Sequence, residues 1–459
     1  MSLFSTLASR KNLKLVLGII FFTICNSCRT NKSPQRAGIP MIAEEIQVSK
    51  IWPGHPVGFA LLTSTPHQYV AYYDEHRNMT VAHRRLGEKN WTYKLLPSKV
   101  GWDSHNYIAL ALDNDGHLHV SGNMHVNKLV YFYSTTPHDV ATLQQVESMT
   151  GKEETRVTYP LFSKGPGGDM IYTYRDGSSG SGNQVYNTYN TQTKTWRRLL
   201  DMPLIDGEGE MNAYIKGPTA GPDGYYHMVW VWRDTPDASS NHDLSYARSK
   251  DLIHWEKSDG SPLKLPIKIA TAEIVDPVPA KGGIINGNTV IGFDKDKRVI
   301  ITYHKYDAAG NIQIHNARRE SGGWKIYQAT EWKHRWDFLG GGTITFDVHV
   351  QPVRVDGAGK MTMGYGSKEA GSGVLVLDPV TMKQLQRLPA PVTMPANMLS
   401  PQSAFPGMIV NFKEDEGRSP EKNTRYVLRW ETLGRNRDQP QKVALPEAGM
   451  LKLYKVTND

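Results

Sequence analysis

The feature that most restricts the fold of this 459-residue chain is a unit that recurs along its whole body. A polar turn, mostly Asp-x-x-Gly or Gly-Pro-x-Gly, leads into an apolar strand at Asp113 to Val120, Gly165 to Tyr174, Gly221 to Trp230, Asp294 to Tyr303 and Asp356 to Gly364. The copies start roughly 50 to 75 residues apart, the length of one four-stranded blade with its loops. A second mark keeps step with the first: a strand, a polar turn and then Trp, at Gly87 to Trp91, Thr191 to Trp196, Ser249 to Trp255 and Ser321 to Trp324. No long helical periodicity follows Ile51, whereas short alternating runs rich in Val, Ile, Tyr and Thr recur between turn residues. These repeats predict an all-β chain, a β-propeller of seven four-stranded antiparallel blades. Two packed β-sandwiches are the competing fold, but they would not repeat one unit from end to end.

Length alone does not require two domains, because a repeat architecture grows by adding units. The net charge of +8 is mostly a property of the first 36 residues, which carry Arg10, Lys11, Lys14, Arg29, Lys32 and Arg36 and no acidic residue. The remainder sets 47 cations against 45 acidic residues, a balance of +2 without the basic footprint of a nucleic-acid binder. Arg10, Lys11 and Lys14 precede the short apolar run Leu15 to Ile24, the pattern of an export signal. The expectation is a signal over residues 1–27, a polar linker over 28–45, a propeller over 46–459, and a location in the periplasm or at the cell surface. Asn26-Ser27-Cys28 resembles a bacterial lipoprotein signal, with Cys25 where Leu is usual. Lipid attachment at Cys28 and plain cleavage are both compatible with it. Cys25 and Cys28 are the only cysteines, so the body contains no disulfide and no thiolate metal site.

In a propeller, loop tips and inner strand ends of different blades converge, so site residues should be scattered at similar phases of successive units. The hairpin Tyr107 to Leu112 and His117 to Ser121, joined by Asp113-Asn114-Asp115-Gly116, brings His105-Asn106 and Asn123-Met124-His125 to one end of a sheet. The next units supply Tyr159 and Arg175, then Tyr214 and Arg233. These types suit removal of the C5 proton of a uronic acid. An Arg can neutralise the carboxylate on which charge develops, a His or Tyr can take the proton, and another can protonate the oxygen leaving C4. The leaving group is either the next sugar or water at a chain end. A two-carboxylate glycosidase remains open at this point. The glycine-rich run Gly177 to Gly182 lacks the Lys-Ser/Thr of a phosphate loop and reads as a flexible rim loop. His117 and His119 alternate along a strand without a third ligand at a recognisable spacing, so no metal or other cofactor is expected in catalysis.

Ser104-His105-Asn106, Gly122-Asn123-Met124-His125, Thr158-Tyr159-Pro160 and Tyr174-Arg175-Asp176-Gly177 together resemble the seven-bladed propellers that include ulvan lyases and the related rhamnosyl-glucuronate α-L-rhamnosidases. The resemblance implies an elimination site at His105, His125, Tyr159, Arg175 and Tyr214, with Asn106, Asn123 and Arg233 as substrate-binding neighbours. It implies a carbon–oxygen lyase acting on a rhamnose- and uronate-containing polysaccharide or oligosaccharide, by a monomer. The rhamnosidase branch implies instead a single His elsewhere on the propeller, for which His55 is the candidate. A third reading is a non-catalytic surface lipoprotein that captures uronate glycans with Arg175 and aromatic side chains.

Overall fold

The computed structural model describes residues 38–458, almost all in strands and turns. Hydrogen bonding links the strands into six sheets, one of which is two antiparallel groups joined through the single parallel pair Gly182↔Asn212. Among the described residues seven groups result, four of four strands and three with one short additional strand. Blade 1 is Ala60–Ser64, His67–Tyr73, Asn78–Arg85 and Thr92–Lys99; blade 2 is Ile108–Leu112, Leu118–Gly122, Tyr131–Ser134 and Leu143–Gln145. Blades 3 and 4 begin at Val157–Lys164 and Asn212–Ala220, blades 5 and 6 at Val290–Phe293 and Val348–Val350, and blade 7 at Met408–Glu414. The first strands of neighbouring blades pack together, Ala60–Ser64 touching both Ile108–Leu112 and Met408–Glu414. The sandwich alternative is thereby set aside.

The repeated sequence unit is the turn between the first and second strand of a blade. Its aspartate accepts successive backbone N–H groups, which explains why Asp recurs there. Asp113 Oδ1 accepts from Asp115 and His117 at 3.0 and 2.8 Å, Asp294 Oδ1 from Asp296 and Arg298 at 3.0 and 2.9 Å, and Asp356 Oδ1 from Ala358 and Lys360 at 2.9 Å each. The Trp mark is the turn before a fourth strand. At Ser249 to Trp255, Ser249 Oγ and Asp251 Oδ1 cap backbone N–H groups, and the buried Trp255 indole donates to Leu252 O.

The propeller begins earlier than residue 46. Strand Pro40–Ile51 pairs antiparallel with Gly449–Asn458 and is the fourth strand of blade 7, so residues expected to be linker instead join the two chain ends. Bulges at Ile42/Glu44 and Gln47/Ser49 break the two-residue alternation and disguise this strand as polar linker. Its Ile46, Val48 and Ile51 enter a core shared with blades 1 and 2. The expected export signal and Cys28 lie outside the described residues.

Candidate functional site

The site lies where blades 2, 3 and 4 present the starts of their first strands and the ends of their second strands. His105 precedes Ile108–Leu112, and His125 follows Leu118–Gly122 in a short strand, His125–Asn127, that pairs with the start of blade 3. Their ring centroids are 4.3 Å apart. The Tyr159 ring is 5.9 Å from His105 and 6.3 Å from His125, and the Tyr214 ring is 6.4 Å from Tyr159. With Arg175, whose Cζ lies 4.9 Å from the Tyr159 ring centroid, the five residues expected to form one cluster meet.

Tyr159 is held in an unusual backbone state. Its φ is +59°, a conformation bulky residues rarely adopt, and it sits in a bulge between Thr158 and Leu161 of the innermost strand. Such strain costs on the order of 1–3 kcal/mol and persists where surrounding structure imposes it. Here Thr158 Oγ1 accepts from Val126 N at 2.8 Å, and the Tyr107 hydroxyl donates to Pro160 O at 3.1 Å. The bulge turns the phenol toward the histidines. Burial pushes its pKa up to about 12, further raised by Tyr214 and only partly offset by Arg175 and Arg233, so Tyr159 is protonated at neutral pH.

Arg175 lies in the second strand of blade 3, between Thr158 and Gln184. It is 3% exposed, and none of its three guanidinium nitrogens has a hydrogen-bond partner among the described residues. Its Cζ lies 4.9 Å from the Tyr159 ring centroid and 5.9 Å from that of Tyr214. Two such cation–π contacts supply on the order of 1–4 kcal/mol, whereas burying an unpaired ion costs several kcal/mol. An anion brought against the guanidinium would offset that cost. Tyr214 is oriented by its hydroxyl's 2.7 Å hydrogen bond with Ser179 Oγ, on the glycine-rich turn. That turn is a tight hairpin tip packed on blade 4, and so is not the flexible rim loop expected: a Cβ on Gly180 would lie 2.8 Å from Asp234 O. A Cβ on Gly182 would lie 2.9 Å from Arg175 Cγ and Cδ, so glycine makes room for the guanidinium stem.

The cluster opens onto a trough. A 420 Å³ cavity lined by Arg175, Tyr214 and Lys216 and a 250 Å³ cavity lined by Arg233, His349 and Arg435 share His105, Tyr159, Asn286 and Phe346. The second adjoins a 400 Å³ cavity through Thr343, Ile344 and Arg435. Among the described residues Asp337 is the one carboxylate lining these three cavities, so no pair of carboxylates lines them. Lys216 lines the cavity as an exposed residue, and partial desolvation by the neighbouring protein pulls its pKa down.

The substrate-binding expectations fare differently. Arg233 lines the trough beneath Tyr214, but its guanidinium is bound to Thr235 O, Asn286 Oδ1 and Pro236 O. Asn106 is buried, its Oδ1 unpartnered and its carbonyl accepting from Tyr73. Asn123, at φ +60°, donates to Ser98 Oγ and Lys99 O of blade 1 and lines none of these cavities. His55 also stands apart from the trough. It is 4% exposed, packed edge-on against Trp52 and stacked on Trp102, and it lines none of these cavities.

Sequence reading missed Asp103 and Asp438. Asp103 Oδ1 lies 2.6 Å from His105 Nδ1 and its Oδ2 lies 2.5 Å from His125 Nδ1. Its short spacing from His105, Asp-x-His in a loop, is the only sequence signal it offered. Asp438, from the blade 7 loop, accepts from Ser104 N and Thr343 N at 3.1 and 2.9 Å and ties three loops at the site's edge. Asp103, His105 and His125 are the one group of three neighbouring metal-ligand types among the described residues. Both Nδ1 atoms already face the carboxylate at hydrogen-bond distance, so an ion would have to displace both contacts.

Fold and site together define a β-propeller with a cationic trough and a histidine–tyrosine cluster around a buried arginine. Residues 67–332, more than half of the chain, match the model of the BNR repeat-containing family, and the chain belongs to that family. None of the curated proteins matches it. The chain is similar to the crystal structure of polysaccharide lyase Uly1, with 14% identity over 91% of this chain and 99% of that one and a TM-score of 0.58. It is also similar to a PL25 ulvan lyase bound to -[GlcA(1-4)Rha3S]-, with 12% identity over 89% of this chain and 95% of that one and a TM-score of 0.56. These likenesses concern the fold.

Proposed function

We propose that the protein is a carbon–oxygen lyase that acts by β-elimination on uronic acid residues of a rhamnose- and uronate-containing, ulvan-like polysaccharide or oligosaccharide. The observation that carries this reading is Arg175, a buried cation with no partner, facing a trough with one carboxylate in its lining and flanked by a protonated tyrosine and two imidazoles. In the reaction, Arg175 holds the uronate carboxylate and stabilises the charge that spreads onto it as C5 loses its proton. The Nε2 of His105 takes that proton, the C5–H electron pair becomes the C4=C5 double bond, the C4–O bond breaks, and Tyr159 gives its hydroxyl proton to the departing oxygen. Assigning Tyr159 as the acid follows from its raised pKa. Using it as the base would first cost on the order of 7 kcal/mol to ionise it at pH 7. This scheme needs no metal. The similar fold of a lyase whose structure holds a glucuronate–rhamnose sulfate repeat supports the substrate class.

The protein would work outside the cytoplasm as a monomer, delivered by its leader and either held through lipid at Cys28 or released by plain cleavage. The reading is tested by incubating the purified protein with ulvan and its oligosaccharides while following the ultraviolet absorbance of the conjugated unsaturated uronate, with product masses from mass spectrometry. Growing absorbance is expected, and the masses separate chain cleavage from loss of water. Released rhamnose without absorbance would transfer the assignment to hydrolysis, and binding without product would make the protein a glycan receptor.

A further inference from the structure

We infer that Asp103 is a positioning residue that sets the tautomer of both histidines at once, leaving a lone pair on the Nε2 of each ring, of which His105 lines the trough. The inference rests on the elimination reading and deepens it. An ionised carboxylate can only accept hydrogen bonds, and a neutral imidazole carries one N–H. Asp103 Oδ1 lies 2.6 Å from His105 Nδ1 and Oδ2 lies 2.5 Å from His125 Nδ1, so each ring presents its single N–H to a separate oxygen of one carboxylate. Although burial opposes ionisation of Asp103, these hydrogen bonds from His105 and His125 outweigh it and hold the carboxyl well below the usual carboxylate range. Oδ1 also accepts the His105 backbone N–H at 2.9 Å, which closes a turn and fixes the carboxylate relative to the ring.

The loop carrying this clamp is anchored on both sides. Trp102 packs against Trp52 and His55 at ring distances of 4.7 and 5.7 Å, and Ser104 binds Asp438 and Thr343. His55 thus acts through Trp102, beneath the site. Asp438 Oδ2 lies 3.6 Å from His105 Nδ1, with His125 and Tyr159 facing the ring from blades 2 and 3. Two consequences follow for the reaction. The imidazolium that forms when His105 takes the C5 proton sits on the Asp103 charge, and the second lone pair, on His125 beside it, leaves that ring able to accept a hydrogen bond.

The test uses the full protein and Asp103→Asn. An amide has one acceptor and one donor side, so it keeps one clamp and forces the other ring into the opposite tautomer. The expected result is a kcat about 10²- to 10⁴-fold lower, as when an aspartate that orients a catalytic histidine in a hydrolase is changed to asparagine. KM should stay within about threefold, because Arg175 is untouched. Asp103→Glu should restore part of the rate. Independently of turnover, two-bond proton–nitrogen NMR of ¹⁵N-histidine-labelled wild type should show His105 and His125 as Nδ1–H tautomers, with one of them reversed in Asp103→Asn. Unchanged kcat in Asp103→Asn, or Nε2–H tautomers in the wild type, overturns the inference. So do Nδ1 protons that appear only after chelation, which would put an ion on the same three groups. If the wild type eliminates no uronate substrate, the elimination reading falls, and the NMR result still decides the clamp.

Discussion

Arg175, buried without a partner among the described residues, and Tyr159, at positive φ, each cost the fold stability. A buried guanidinium without a partner is a liability in the unliganded fold, so Arg175→Met should raise thermal stability, by about 1–3 kcal/mol in denaturant titration, while lowering kcat/KM by at least about 10²-fold. An equal loss of stability and activity would mean that Arg175 is a structural cation. Tyr159→Phe keeps the ring that stacks on Arg175 and removes only the proton. Affinity for a uronate oligosaccharide should be preserved, with kcat reduced about 10²- to 10⁴-fold. A full rate in Tyr159→Phe would exclude the phenol as the acid. The cluster's five side chains were legible because each stands at the end of a strand that its own alternation predicts. Asp103 and Asp438 were not, because a carboxylate's role depends on which groups the loops bring against it. Asn123 and His55 share the composition of site residues, and only packing shows that one bonds blade 1 and the other stacks on Trp102.

At the scale of elements, the site depends on two departures from regular strand geometry, the bulge at Tyr159 and the tight hairpin through Gly177, Gly180 and Gly182. Gly182→Ala places a methyl 2.9 Å from the Arg175 stem and 3.0 Å from Asn212 Oδ1. The stem has to shift, so KM should rise several-fold with little change in thermal stability, which steady-state kinetics beside a melting curve will show. A variant with unaltered KM would show that the stem adapts. Sequence periodicity identified the blades' turns correctly, since Asp-capped turns and buried Trp residues are local chemistry. Bulges erase the same periodicity, which is why Pro40–Ile51 read as linker and the glycine-rich hairpin as a mobile loop.

For the whole molecule, closure by Pro40–Ile51 implies that removing residues up to Ile51 unpairs the edge of blade 7. It also takes Ile46, Val48 and Ile51 out of the core, at about 1.5–3 kcal/mol each. The truncated chain should melt markedly lower and aggregate, and an unchanged melting temperature would show that the strand is dispensable. Acid should act on the fold through buried histidines. Burial holds His304 and His315 down at about 4, against about 6.5 in an unfolded chain. Because the unfolded chain binds these protons first, their contribution is fully present above about pH 6.5 and is lost as pH falls toward 4, on the order of a few kcal/mol for each fully buried ring. Chemical denaturation across that window should record the loss, and a flat profile would show that both rings titrate normally. What the sequence by itself determined was the repeating unit, hence the blades, and the residue types at their mouths, because turns, alternation and charge act over a few neighbouring residues. Only the tertiary structure decided that residues 40 and 458 pair, that Asp103 joins two histidines twenty residues apart, and that Arg175 is left without a partner. Those outcomes depend on burial and on distances between blades that no local pattern encodes.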